Sequence, residues 1–348
     1  MNDRGFPDLV QRLSAAAAES GGALGREVRA YVRDVLQGMA LLPDQVSARR
    51  IADDTVRSNE IFSVLTSRAF CYLGRNKTER FRENVVHLLR RRMATGGAFR
   101  FFYDVGPGYH ATTRPGILPL SYDVGLSELL IVSQVSALCR RVAELYEPGA
   151  RFLFVIDNLR GLRTNDIPLH LTEGYVRQFR WLIENVGMSN KVELIVESEE
   201  FDLKEYDRLL ADVEVQTPDA EPSPEAIDNV ARFLGYPCSA AEAVTRMERY
   251  RRTGTVTDTL IDRLVREVHM TQRATGATLG FRPFPGGDQR TQVGELALRH
   301  GSSGRLRPVL LTSRNVDDYD CTRLDLSDVL PAPMTHVTYA SPRPRTRA

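Results

Sequence analysis

Ten consecutive residues, Asp157-Asn-Leu-Arg-Gly-Leu-Arg-Thr-Asn-Asp166, hold two aspartates, two arginines and two asparagines. They directly follow the apolar run Arg151-Phe-Leu-Phe-Val-Ile156. A carboxylate at such a place can hold an ammonium group, or act as a base when burial raises its proton affinity. Two neighbouring guanidinium groups can grip a phosphate or carboxylate bidentately. The competing reading is a solvated turn with Asx-type hydrogen bonds. Asp157, Arg160, Arg163 and Asp166 are the candidate residues of this stretch.

Three further segments have the composition of ligand loops. The first carries His110 and Arg114, the second reads Glu197-Ser-Glu-Glu200, and the third surrounds Arg282 and Arg290. Asp123 and Glu128 flank the start of a long helical pattern, where helix capping is the alternative to chemistry. His110 and His336, both in expected loops, are the histidines best placed for proton transfer. His87, His170, His269 and His300 read as structural. No HxH, HExxH or paired Cys/His spacing occurs, so no metal site is expected. A Walker A sequence, a GxGxxG after a strand and a Gly-x-Ser-x-Gly elbow are also missing.

The elements that must position these groups follow from periodicity. Helical spacing is expected over residues 26–40, 48–72 and 79–93, so region 1–95 reads as helical. A short aromatic strand over 99–104, a helix over 123–146, a central strand over 151–157, a helix ending at Gly187 and a strand over 191–196 form a βαβαβ order. Thr172 is the expected N-cap of that second helix, with Leu171 and Val176 as a hydrophobic staple. This order predicts a Rossmann-like parallel sheet flanked by helices over 96–215, an α/β fold with ligands at the carboxyl ends of its strands. Three prolines within 218–224 mark a connection. Helices expected over 224–234, 239–252 and 257–275 make 216–278 a helical insertion. Residues 279–348, with one strand near 308–312, complete the core.

Composition narrows the function classes. With 46 basic and 45 acidic residues in 348, the net charge of +1 gives no global pull toward nucleic acid or an anionic membrane. The arginine-rich N-terminal helices lack interleaved aromatics, which argues against a nucleic-acid module. Only Lys77, Lys191 and Lys204 are lysines, which limits Schiff-base chemistry and favours arginine for anion binding. The four cysteines are scattered, as in a protein of a reducing compartment. Neither a signal peptide nor an apolar membrane span is expected, so the cytoplasm is the expected location.

Several segments in order resemble the pyoverdine/dityrosine biosynthesis family, which includes the isocyanide (isonitrile) synthases. They are Ser121-Tyr-Asp-Val-Gly-Leu-Ser-Glu-Leu-Leu130, Tyr146-Glu-Pro-Gly-Ala150, Phe152-Leu-Phe-Val-Ile-Asp157, Tyr175-Val-Arg-Gln-Phe-Arg-Trp-Leu182 and Pro333-Met-Thr-His-Val337. The resemblance implies condensation of an amino-acid amine with the ketone of ribulose 5-phosphate, the sugar supplying the isocyanide carbon. It implies no metal or nicotinamide cofactor; the partners are an amino acid and a sugar phosphate. By resemblance Asp123 and Glu128 match the acidic pair at the helix start, Asp157 the strand-end aspartate, His336 the C-terminal histidine and, more loosely, Asp166 the loop aspartate. The family's lysine ahead of the long helix is missing, and Arg114 stands in that stretch as an anion binder. Asn158 replaces the glycine after the strand-end aspartate. A different amino-acid modification or transfer, or a non-catalytic small-molecule binding protein, is the alternative.

Overall fold

The computed structural model describes residues 22–40, 53–73, 75–104, 124–165, 167–213, 223–224, 227, 239–264, 281–282, 295–311, 315–326, 334 and 336–343. Among them, four N-terminal helices come first: α1 (Ala23–Ala40), α2 (Asp54–Leu65), α3 (Arg75–Glu79) and α4 (Arg82–Ala94). Val28, Val32, Leu36 and Met39 form the buried stripe of α1, at the spacing that brings one helix face to the core. Asp53 caps α2, its carboxylate accepting from the amides of Thr55 (2.6 Å) and Val56 (3.4 Å). Burial of Val85, Leu89 and Met93 leaves Arg90 and Arg91 of α4 on the exposed face.

The layer that positions the candidate loop is a parallel sheet of β1 (Phe99–Asp104), β2 (Ala150–Ile156) and β3 (Val192–Val196), in the spatial order β1-β2-β3. Helix α5 (Leu126–Ala143) connects the first two strands. Between the second pair lie α6 (Asn158–Asn165) and α7 (Leu169–Asn185). The fold is α/β, with a Rossmann-like parallel sheet flanked by helices. β2 sits in the middle because its apolar run can be buried on both faces, and all its residues except Arg151 are buried. Pairing Phe101 with Phe152 and Tyr103 with Phe154 sets aromatic rings 5.3 and 5.6 Å apart across the strands. Phe179 of α7 stacks on Phe154, with ring centroids 5.8 Å apart. Gly149 turns the chain into β2 with φ of 68°, a conformation that glycine adopts without strain.

After β3 come α8 (Glu197–Glu200), α9 (Leu203–Asp212) and α10 (Ala240–Leu264). The C-terminal region forms a second sheet from β4 (Glu295–His300), β5 (Leu306–Leu311), β6 (Tyr319–Asp325) and β7 (His336–Pro342), ordered β5-β4-β7-β6. Within it β4 and β7 pair in parallel, through Leu298 and Tyr339, and the other described pairings are antiparallel. Helix α5 packs on both β2 and β4, and so lies between the sheets.

Four local expectations change. Residues 158–165 are helical, not a loop. Thr172 lies inside α7, which Pro168 precedes as N-cap, and its hydroxyl donates 2.8 Å to the Leu169 carbonyl. The break expected between 252 and 257 is bridged by the continuous α10, where the hydroxyls of Thr253, Thr255 and Thr259 bond back to carbonyls four residues earlier. Three strands, β4, β6 and β7, join the one anticipated near 308–312. Most of the helix anticipated over 224–234, the proline-rich connection ahead of it and the loop around Arg290 lie outside the described residues.

Candidate functional site

Parallel strands deliver their following segments to one edge of the sheet, so Asp157 after β2 and Glu197 after β3 emerge side by side. Both are buried, at 4% and 1% exposure. Helix α6 starts at this edge, with the Gly161 amide donating 2.8 Å to the Asp157 carbonyl. One turn on, an Nη of Arg160 reaches the Asp157 carboxylate at 3.4 Å. The guanidinium lies over the Tyr250 ring, 4.3 Å from its centroid, so it is held between a carboxylate and an aromatic face.

Glu197 ties three elements together. Its Oε2 accepts from the Arg160 amide at 3.0 Å, and its Oε1 accepts from the Thr257 hydroxyl of α10 at 2.6 Å. Beside it, Asn158 donates to the Ser198 hydroxyl (2.6 Å) and accepts from the Ser198 amide (3.0 Å). Helix α10 covers α6 through the Thr164–Thr253 hydroxyl pair at 2.8 Å. A small apolar cluster of Leu159, Tyr206, Val256 and Leu260 seals the remainder. Burial holds the Tyr206 phenol well above its ordinary pKa, so it stays protonated and donates to the Thr253 carbonyl.

A second acidic position lies in the first turn of α5, which returns the chain from the end of β1. Glu128 is 2% exposed. Its Oε2 accepts from the Gly125 amide (2.8 Å) and the Ser127 hydroxyl (2.7 Å), and Tyr175 donates to its Oε1 at 3.3 Å. Capping is thus one role of Glu128. Burial, then the adjacent Glu128, drives the Tyr175 phenol well above its usual pKa, so it remains a donor to the carboxylate. Tyr175→Phe should destabilise the fold by about 1.5–2 kcal/mol, the low range for a bond to a charged group, as read by chemical unfolding.

The other anticipated residues are distributed differently. Arg163 makes a bidentate pair with Asp207 of α9, at 2.7 and 2.5 Å. Arg282 donates from its amide to the Phe70 carbonyl (2.7 Å) and from Nε to the Cys71 carbonyl (3.1 Å). His336 begins β7, in the other sheet, with an Arg323 Nη 2.7 Å from its Nδ1. Asp123, His110, Arg114 and Asp166 lie outside the described residues. The structure therefore joins Asp157 to Arg160 and adds Glu197, Thr257 and Tyr250. Glu197 stood in an anticipated ligand loop, but nothing in Glu197-Ser-Glu-Glu200 distinguished it from Glu199, which instead pairs at the surface with Arg180.

Among the described residues, no group of three His, Cys, Asp or Glu side chains could hold a metal ion. No described helix is long and apolar enough to cross a membrane. No family model matches the sequence, and no curated protein matches it. The solved structures give a match at the level of fold. The crystal structure of PvcA from Pseudomonas aeruginosa has a TM-score of 0.58 at 15% identity, covering 82% of this chain and 100% of that one. This chain shares the PvcA fold.

Proposed function

We propose that this protein is a biosynthetic enzyme of specialised metabolism that acts on the amine of an amino acid, forming an isocyanide with ribulose 5-phosphate as carbon donor. The observation that carries the reading is the buried Asp157–Arg160 pair at the carboxyl edge of a PvcA-like sheet. PvcA belongs to the pyoverdine/isocyanide synthase family, the family that this chain's motifs resemble. In the reaction, the amine nitrogen adds to the sugar ketone carbon and water leaves. Asp157 receives the ammonium group, Arg160 fixes the orientation of the carboxylate, and the ammonium proton leaves by way of a histidine. Arg114 and Arg282 are the candidates for the sugar phosphate, His110 and His336 for proton transfer, and Asp123 for the amine.

A specific observation favours a second reading, a divergent member with another amino-acid modification or a binding role. Two arginines proposed for a phosphate clamp, Arg160 and Arg163, each face an aspartate. Purified protein incubated with each proteinogenic amino acid and ribulose 5-phosphate should yield an isocyanide by mass spectrometry. Absence of product with all of them overturns this reaction. Amino-acid binding by calorimetry without product would then support the second reading.

A further inference from the structure

A separate chemical group lies at the seam between α1 and the second sheet. Glu27, His300 and Tyr339, from α1, β4 and β7, form a hydrogen-bonded chain. Glu27 Oε2 is 2.7 Å from His300 Nε2, and His300 Nδ1 is 2.6 Å from the Tyr339 hydroxyl. The rings meet edge to face, with centroids 5.5 Å apart. The parallel register of Leu298 with Tyr339 places Tyr339 two residues' rise from His300 on the shared face, and Glu27 reaches down from α1.

The carboxylate settles the direction of the chain. It can only accept, so a neutral His300 carries its proton on Nε2 and presents the Nδ1 lone pair to the phenolic O–H. That is the nucleophile–base–orienting acid arrangement, with tyrosine in the first place. The group is reachable from solvent: the His300 side chain is 36% exposed and that of Glu27 52%, with Tyr339 half-buried.

We propose that Tyr339 is a nucleophile that accepts acyl groups from small activated esters, with His300 as its base and Glu27 as the positioning residue. The Tyr339 oxygen bonds to the carbonyl carbon, the bond to the leaving oxygen breaks, and the phenolic proton passes to His300 Nδ1. Glu27 stabilises the imidazolium formed. The proposal is independent of the chemistry at the carboxyl edge of the parallel sheet.

The test is acetylation of the full chain with p-nitrophenyl acetate, mapped by peptide mass spectrometry. Tyr250 is the internal standard, being 49% exposed. Tyr339 should be acetylated about 100-fold faster than Tyr250, the lower end of what a positioned base supplies. His300→Gln should remove most of that advantage. Glu27→Gln, at an exposed helix position, should slow Tyr339 roughly tenfold, and Glu27→Asp should restore part of the rate. Equal rates at Tyr339 and Tyr250 overturn the proposal. So does undiminished p-nitrophenolate release in Tyr339→Phe, which would make His300 the nucleophile. If His300→Gln fails to fold, the wild-type selectivity and the Glu27 variants decide the matter.

Discussion

Glu197→Ala should lower the stability of the protein by about 2–6 kcal/mol, because two buried donors then lose their acceptor at roughly 1–3 kcal/mol each. The donors are the Arg160 amide in the first turn of α6 and the Thr257 hydroxyl of α10. Neither sits where water can replace the carboxylate easily, since Thr257 and Glu197 are both buried. Glu197→Gln keeps one acceptor oxygen for the amide and offers its NH2 to the Thr257 oxygen. Its cost should therefore be about 1–2 kcal/mol, on the scale of a net hydrogen bond. Urea unfolding of the three proteins gives the ordering wild type, Gln, Ala. Hydrogen exchange locates the effect. Apolar anchoring of α10 is confined to a few residues such as Val256 and Leu260, so its amides should exchange faster in the alanine variant while those of β2 do not. Uniform loss of protection would make Glu197 a general core contact instead of the tie between α6 and α10.

That tie also explains which parts were legible in the sequence. The run Phe152–Ile156 could be read as a central strand because an unbroken apolar segment of that length has few other homes. Helix α5 was legible from its many regularly spaced apolar residues. Helix α6 was not, because Asn158, Gly161, Asn165 and Asp166 are turn formers by composition. Its helicity comes from partners distant in sequence: Glu197 on its first turn, Thr253 against Thr164, and the packing of Val256 and Leu260 with Leu159. Tertiary contact overrode local preference. Strand β6 was hidden for a different reason. Most of its residues are exposed, so it lacks the apolar alternation that marks a half-buried strand. For the site, position was readable and pairing was not. Asp157 declared itself by ending a buried strand, whereas nothing in the local sequence says that Arg163 turns to Asp207 while Arg160 turns back to Asp157.

The Arg160–Asp157 pair permits a sharper experiment on that position. Asp157→Asn should cost about 3–5 kcal/mol, since it leaves a largely buried guanidinium beside a neutral amide. The side chains are only 12% and 5% exposed, so solvent screens little of this. Replacing both partners, as Asp157→Leu with Arg160→Met, removes the buried charges together. Such exchanges are often neutral, or stabilising by about 1–4 kcal/mol. Thermal unfolding should thus show the single variant well below wild type and the double variant close to it. Activity then separates the two roles of the aspartate. A double variant that folds normally yet makes no product places the Asp157–Arg160 pair in the chemistry, because its structural duty has been taken over. A double variant that turns over like wild type reduces Asp157 to the partner that keeps Arg160 buried, and moves the amine site toward Glu128 and Asp123.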